Sequence, residues 1–321
     1  LGPTICERFY FPYAEKIGGL PPEGLAGEQA RRRVGASSPG RILRRVVSSP
    51  DAARRGFLSP RRGYGQLWEA LADDAAAAGA RVELGAEVTA VDLDPGGARV
   101  TVAGGRQVRG RRVWSTIPLT ALAAMTRPAP GADALAATET LRFRAMLLVY
   151  LVLEGGRYSP FDAHYLPEMD TPVTRVSEPP NYRDGDDPPD RTVLCAEIPC
   201  DAGDALWGAS DDALGRLAAD GLAAAGLPRP APVQVHVERL ANAYPVLRAG
   251  YADDLAPLDA WAAARPALLT LGRQGLFVHD NAHHALAMAW AAVDCLRPGG
   301  GFDDGAWVAA RARFAEHVVE D

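Results

Sequence analysis

The segment of residues 268–296 constrains the fold of this chain more than any other. It reads LLTLGRQGLFVHDNAHHALAMAWAAVDCL, which predicts an apolar strand, a glycine-bearing turn, a short polar loop and a long alanine-rich helix. A strand that leads into a helix through such a turn presents backbone N–H groups and the positive end of the helix dipole to an anion. The segment therefore predicts one half of a site for a phosphate-bearing cofactor. No G-x-G-x-x-G motif precedes it, so the other half is expected outside this sequence.

Composition excludes several classes of protein. The chain has 321 residues, 48% of them hydrophobic and 23% charged, which is typical of one large globular domain or two interleaved ones. The net charge of −6 argues against a nucleic-acid partner. Arginine-rich runs between residues 31 and 62 favour an ordinary charged surface over a patch that steers an anionic substrate. Four cysteines predict buried thiols in a cytoplasmic protein, and no apolar run is long enough for a membrane span.

Periodicity predicts two groups of secondary structure. Within residues 59–79, the positions after the loop glycines predict a helix that ends at Gly79, and residues 81–84 predict a short strand. The run EVTAVDLD, ARVTVAG, RQVRGRRVWSTIP predicts a three-stranded meander whose last strand ends at residues 113–117. A second sheet is predicted from the strands at 145–153, 193–198 and 233–239. Further helices are predicted at 211–225, 255–265 and 306–319.

These elements predict an α/β (α+β) protein with a discontinuous organisation. Residues 59–118 and 266–298 are expected to form an incomplete, doubly wound sheet with its β-meander. Residues 1–58 and 119–265 are expected to form a second part, made of helices and a mixed, mainly antiparallel sheet. Residues 299–321 are expected to add a C-terminal helix.

Several segments, in order along the chain, carry a resemblance to a known family. They are RRGYGQLWEALADDAAAAGARVELGAEVTAVDLD, RRVWSTIPLTAL and LGRQGLFVHDNAHHALAMAWAAVDCL. The chain resembles the C-terminal two thirds of FAD-dependent oxidoreductases of the flavin amine oxidase type, a superfamily that includes protoporphyrinogen oxidase and, more distantly, UDP-galactopyranose mutase. The segments ERFYFPYAEKIGG, TRVSEPPNYRD and ANAYPVLRAGY resemble the protoporphyrinogen oxidase-like or sugar-modifying branch.

The resemblance implies that residues 59–118 and 266–298 form an incomplete FAD-binding domain and that residues 1–58 and 119–265 form a substrate domain. It also implies a set of FAD-binding residues. The backbone at Val88 would meet the adenine, and residues 116–118 would pass close to the cofactor. Gly272 and Arg273 would approach the diphosphate, and residues 281–285 would face the ribityl chain and the isoalloxazine edge. The cofactor-binding candidates are Val88, Thr116, Pro118, Gly272, Arg273, Asn281, His283, His284 and Ala285. The N–H groups of residues 283–285 could stabilise negative charge on a reduced flavin.

Candidates for chemistry and for substrate binding are weaker. His283 or His284 could donate a proton beside the flavin. The resemblance places Tyr244 near the substrate face of the flavin, although an ordinary buried tyrosine explains it equally well. Polar residues beside the apolar strands could line a substrate pocket: Arg144, His164, Arg175, Asn181 and Tyr182. No metal site is predicted, because no carboxylate or cysteine completes a set with His279, His283 and His284.

Two departures from the family pattern affect these expectations. Many relatives carry an acidic residue near the position of His283, which puts in doubt any role that needs a carboxylate there. The N-terminal βαβ unit, with its Gly-rich turn, is missing from the sequence. Without it, apolar side chains near Val82 and Val113 would be exposed, and we expect the chain alone to fold poorly or to bind FAD weakly.

Three functions remain open from the sequence. The first is an FAD-dependent oxidoreductase fragment that transfers hydride from a small organic substrate to flavin. The second is a flavin-dependent isomerase similar to the sugar-nucleotide mutase, with Arg144 and Arg175 on a nucleotide diphosphate. The third is a non-catalytic remnant, or one subunit of a split flavoenzyme whose partner carries the Gly-rich segment.

Overall fold

The computed structural model describes residues 2–28, 59–182, 185 and 187–317. Residues 29–58 lie outside this part of the chain, together with most of the arginine-rich runs and much of the N-terminal part of the expected substrate domain. The last two residues of the helix expected at 306–319 also lie outside it.

Ten α-helices are defined among the described residues. A π-helical turn, Cys6–Tyr10, joins the first two. The helices are α1 (Pro3–Ile5), α2 (Phe11–Gly18), α3 (Gly65–Ala77), α4 (Leu119–Met125), α5 (Ala132–Thr140), α6 (Asp211–Ala224), α7 (Tyr251–Ala263), α8 (Gly272–Gly275), α9 (Ala282–Asp294) and α10 (Asp304–Phe314).

Eleven strands in the described residues form three sheets. They are β1 (Val88–Asp94), β2 (Gly97–Val102), β3 (Gln107–Gly110), β4 (Val113–Ser115), β5 (Thr126–Arg127), β6 (Phe143–Glu154), β7 (Ala163–Tyr165), β8 (Arg175–Ser177), β9 (Arg191–Cys200), β10 (Gln234–Pro245) and β11 (Leu268–Thr270).

The chain divides into two compact units. Among the described residues, the first takes in those within 2–22, 59–84 and 144–243, and the second takes in those within 23–28, 85–143 and 244–317. These units are defined by packing, whereas the expected domains are defined by the cofactor. The assignment of residues to cofactor and substrate domains therefore stays a prediction.

The first unit is built on a five-stranded sheet in the order β10-β6-β9-β8-β7. β6 and β9 pair antiparallel in continuous register from Ala145 opposite Cys200 to Glu154 opposite Arg191. Alternate residues of β6 are fully buried, with Leu147, Val149 and Leu151 in the core beneath α6. The apolar run therefore forms the central strand that its residues predicted, since aliphatic and β-branched side chains fill a sheet that is covered on one face.

The second unit contains the β-meander. β1 and β2 pair antiparallel, as do β2 and β3, and the short strand β5 extends the sheet beside β1 in parallel. The third predicted strand is too long, however. It breaks after Gly110, and β4 leaves the meander to pair in parallel with β11, with Val113 opposite Leu268. Among the described residues this parallel sheet has two strands, so it is narrower than the expected doubly wound sheet.

The helix α3 forms where it was predicted but buries no residue. Its apolar side chains stay partly exposed, with Leu67 at 45%, Trp68 at 39% and Leu71 at 46%. Residues 81–84 form no strand, and Leu84 is 93% exposed. A strand needs a neighbour to satisfy its backbone, and none pairs here in the described structure. Val113, by contrast, packs against a core cluster of the second unit, so its expected exposure is wrong.

No helix in the described part of the chain is both long enough and apolar enough to cross a membrane. Three of the four cysteines, Cys195, Cys200 and Cys295, are buried free thiols, and Cys6 is half-buried.

Candidate functional site

The candidate site lies in the second unit, at the carboxyl ends of β4 and β11. The strands are parallel, so both chains leave the sheet at the same edge. The N–H of Leu271 donates to the carbonyl of Ser115 at 3.1 Å, which ties the two exits together. Thr116 follows β4 and is exposed, and Gly272 follows the end of β11. The predicted cofactor residues Thr116 and Gly272 are thus neighbours.

Two glycines allow this close approach. Gly272 has φ +79°, a conformation that favours glycine, and a Cβ there would lie 3.8 Å from the Thr116 Cβ. At Gly275, a Cβ would lie 2.9 Å from the carbonyl oxygen of Ser115. The N–H of Gly272 points inward and donates to the Met288 sulfur at 3.2 Å, a weak acceptor. A stronger acceptor would compete with the sulfur for this N–H group.

Arg273, the residue after Gly272, places its positive charge against an aromatic ring. The guanidinium of Arg273 lies 4.9 Å from the centroid of the Tyr244 ring, and that ring stacks on His279 at 5.6 Å. The Arg273 Nε donates to the carbonyl of Asp280 at 2.7 Å. Tyr244 therefore joins the predicted cofactor residue Arg273 through ring packing, and its chemical role stays a prediction.

The helix α9 begins with a capping box. The Asn281 side chain accepts from the backbone N–H of His284, and the His284 Nδ1 accepts from the N–H of Asn281 at 3.1 Å. The N–H of Ala285 donates to the Asn281 carbonyl at 3.2 Å. The N–H groups of His284 and Ala285 are thus used within the helix, which corrects the expectation that residues 283–285 all offer theirs. Of these three N–H groups, that of His283 remains a candidate donor to the cofactor, because a residue at this position has no intrahelical acceptor.

The two histidines at this helix start differ in their surroundings. His283 is exposed, and its ring lies 4.0 Å from that of His284. His284 is 8% exposed and stacks on His317 at 4.4 Å. Of the two, His283 has the more accessible side chain, so it is the better candidate for a proton donor.

A buried carboxylate, that of Asp280, links His284 to His317, which corrects the expectation that no carboxylate completes a set with the histidines of this segment. Asp280 is 1% exposed; one of its oxygens lies 3.2 Å from the His317 Nδ1 and the other lies 3.7 Å from the His284 Nδ1. The three residues form a group of metal-ligand type, with their ligand atoms within 4.8 Å of one another. Sequence spacing could have indicated Asp280 and His284 as i and i+4 partners. His317 joins through the return of α10, which no local pattern shows.

The remaining cofactor candidates are also placed in the second unit. Val88 opens β1 opposite Val102 and is half-buried. Pro118 is the N-terminal cap residue of α4. The cofactor-binding roles of both residues stay predictions.

The substrate candidates all lie in the first unit. Arg144 forms an ion pair with Asp201 at 2.6 Å, and its Nε is buried without a hydrogen-bond partner. Its guanidinium lies so close to Gly19 that a Cβ there would be 2.9 Å from it. Arg144 is therefore a packed, charged residue with one donor still to be satisfied.

The other four candidates lie near the β7–β8 edge of the sheet. Arg175 forms an ion pair with Glu197; burial opposes its charge, but this partner raises its pKa. The His164 Nε2 lies 2.9 Å from the Ser159 hydroxyl, and Asn181 donates to the Ser159 carbonyl at 3.0 Å. For the Tyr182 hydroxyl, burial raises the pKa. The structure brings these residues to one edge, where loop contacts already occupy His164 and Asn181.

Comparison with known proteins assigns the architecture. The sequence matches the family described as "Flavin containing amine oxidoreductase" over residues 2–289. A structure of reduced UDP-galactopyranose mutase is similar, with a TM-score of 0.73 and 21% identity, over 99% of this chain and 70% of that one. A protein assigned as a protoporphyrinogen oxidase from Exiguobacterium sp. 255-15 gives 0.56 and 21%, over 79% of this chain and 53% of that one.

No curated protein matches the chain. At these identities the solved structures show a shared fold, and the second of them is about twice as long as the part that this chain covers. The family match extends over most of the sequence and includes the closing strand, the turn and the first part of the helix α9. The chain therefore belongs to the flavin-containing amine oxidoreductase family.

Proposed function

We propose that this chain acts as an FAD-dependent oxidoreductase that removes hydride from a small organic substrate. Family membership supports a flavin. The observation that carries the proposal is the meeting of Thr116 and Gly272 at the carboxyl ends of two parallel strands. In open α/β sheets this edge is where dinucleotides bind, because loops and helix N-termini present donors there.

The donors at this edge fit a diphosphate and a flavin. Thr116 is an exposed residue, and Gly272 leaves the main chain without a side chain where it turns. Arg273 adds a positive charge, and the N-terminus of α9 adds the dipole of a helix of 13 residues. We infer that Thr116, Gly272, Arg273 and His283 would hold the cofactor.

FAD, when bound, supplies the acceptor for the hydride. The residues of this chain would orient the cofactor and adjust the charge around it. Arg273 is held over Tyr244 and by the Asp280 carbonyl, so its guanidinium keeps a fixed position. An exposed ring nitrogen of His283 could hold or release the proton that accompanies hydride loss.

A second function is favoured by one observation. The mutase structure covers 99% of this chain at a TM-score of 0.73, against 79% at 0.56 for the oxidase. An isomerase that acts on a nucleotide sugar without net oxidation is therefore the alternative. Arg175 is then a candidate for the diphosphate of the substrate, once its pair with Glu197 is exchanged.

One experiment separates the two functions. The purified chain is incubated with FAD and then with amines or porphyrinogens under oxygen, and separately with UDP-galactopyranose after reduction by dithionite. Oxygen uptake that depends on an amine or porphyrinogen supports the oxidoreductase. Conversion of the sugar ring without oxygen uptake supports the isomerase. If FAD binds and neither reaction occurs, both functions are contradicted for this chain.

A further inference from the structure

A second charged site lies in the second unit, at the opposite end of the strands. A cleft of about 620 Å3 opens beside the turn after β1, at residues 93–97, and beside the loop of residues 264–267 that precedes β11. Arg111 and Arg112, immediately before β4, line it together with Arg265. β1 starts at Val88, the residue expected near the adenine, and ends at this cleft. The cleft is therefore distinct from the carboxyl-edge site.

Backbone carbonyls hold two of the arginines in place. The Arg111 Nη1 donates to the carbonyl of Gly299 at 2.7 Å. Arg112 donates from Nε to the carbonyl of Pro266 at 3.0 Å and from Nη1 to that of Gly300 at 3.1 Å. Carbonyls fix the direction of a guanidinium without neutralising its charge. Both side chains are thus preorganised and remain cationic.

The loop that supplies these carbonyls is adapted to the arginines. Gly300 has φ +85°, and a Cβ there would lie 1.9 Å from the Arg111 Nη1. Only glycine allows this contact without displacement. The guanidinium of Arg112 also lies 4.9 Å from the centroid of the Phe302 ring, which limits its motion.

Arg265 completes the cationic wall. Its Nη1 donates to the carbonyl of Trp261 at 2.6 Å, and its guanidinium lies 4.6 Å from the Trp261 ring. Its partners are again a carbonyl and an aromatic face. Burial lowers the pKa of Arg265, which agrees with a charge that lacks a nearby counter-ion.

The cleft has an excess of positive charge. Asp94 is the one acidic residue among those lining it; it accepts from the Gly96 N–H at 2.8 Å and lies 3.9 Å from Arg109. Within the described part of the chain, Arg111, Arg112 and Arg265 form no ion pair with a carboxylate. Three like charges that face one cleft repel one another, and a bound anion relieves that repulsion. This contrasts with the net charge of −6 of the whole chain.

We propose that this cleft binds a phosphorylated small molecule of the diphosphate class through Arg111, Arg112 and Arg265. Guanidinium groups match the geometry of phosphate oxygens and can bind two of them at once. The cleft volume lies in the range of sites for small ligands. The proposal does not rest on the flavin site, because no residue is shared between the two.

Calorimetric titration of the purified chain with inorganic pyrophosphate tests the proposal. The test variant is Arg111→Gln combined with Arg112→Gln, since glutamine keeps N–H donors for the carbonyls but removes the charge. We expect saturable binding to the parent chain and at least about tenfold weaker binding to the double variant. The matched control is Arg229→Gln, an exposed arginine paired with Asp220, which should bind as the parent does.

Further arms identify the ligand and the site. Thr116→Ala combined with His283→Ala should leave the part of pyrophosphate binding that depends on Arg111 and Arg112 unchanged, whereas a loss of that part would assign the binding to the flavin site and overturn the proposal. Citrate should bind more weakly than pyrophosphate, and tighter binding of a single-stranded oligonucleotide would overturn the choice of a small ligand. No binding at millimolar pyrophosphate, or equal binding by a double variant with native circular dichroism, would also overturn it.

Discussion

Lys16, the single lysine of the chain, is buried at 9% exposure and connects the helix α2 to the loop of residues 166–173 within the first unit. Its Nζ donates to three main-chain carbonyls, those of Leu166 at 2.7 Å, Glu168 at 2.9 Å and Val173 at 2.6 Å. Burial lowers its pKa to about 8, so it is still mostly charged at pH 7. A cation with all three donors used stabilises the loop around it and is not poised as a nucleophile.

We expect Lys16→Met to destabilise the first unit by about 3 kcal/mol, because three buried carbonyls lose a charged donor. Lys16→Arg keeps donors and should cost less. Urea unfolding at pH 7, followed by circular dichroism, measures both. A methionine variant as stable as the parent would contradict the structural role.

The buried thiols should react slowly. Burial is the main cause that raises the pKa of Cys195 and of Cys200 to about 11, and burial also raises the pKa of Cys295. The reactive thiolate form is therefore scarce at pH 8 and increases as the pH rises towards 11. With Ellman's reagent at pH 8 we expect one fast thiol, Cys6, in the native chain and four in denaturant. Several fast thiols in the native chain would show that this core is open.

At the scale of elements, the N-terminal cap of α9 leads to a testable prediction. Asn281→Ala removes the cap acceptor and should cost about 1 kcal/mol of stability. Ser210→Ala removes the matching cap of α6, whose hydroxyl accepts from the Ala213 N–H at 3.3 Å, in the other unit. We expect both to lower the unfolding free energy but only Asn281→Ala to weaken FAD binding as well. Equal FAD affinity for the two variants would separate α9 from the flavin site.

Elements with a strong local pattern were predictable from the sequence. The strands β6 and β9 and the helices α3 and α6 formed close to their predicted bounds, because periodicity and capping residues act within a few positions. The failures came from non-local pairing. Residues 81–84 have strand composition but no partner, and β4 takes its partner β11 about 155 residues further along, which ends the meander early.

At the scale of the whole molecule, the candidate site was only partly predictable. Motif resemblance indicated Gly272, Arg273 and Thr116, and the structure brings Gly272 and Thr116 together. The resemblance could not show that Asn281 would accept from the N–H of His284, or that His317 would lie beside Asp280. Both depend on side-chain placement in the folded chain.

The packing of the core predicts that backbone amides differ in how strongly they are protected from hydrogen exchange. The central strands β6 and β9 carry the buried core of the first unit, whereas α3 buries no residue. In native-state hydrogen exchange we expect β6 and β9 to exchange slowest and α3 to exchange among the fastest helices. Slow exchange in α3 would mean that its apolar face is covered in solution.

Flavin binding tests the account most directly. FAD fluorescence is titrated with the purified chain, with His283→Ala and with the control His236→Ala, an exposed histidine paired with Glu238 in the first unit. We predict weak but saturable quenching by the parent and the control, because the Gly-rich βαβ unit is missing from the sequence. His283→Ala should bind about three- to tenfold more weakly than the parent, from the loss of one polar contact. No saturable quenching by the parent would contradict a flavin site at the start of α9. The same affinity in all three would contradict a contact between the His283 side chain and the cofactor.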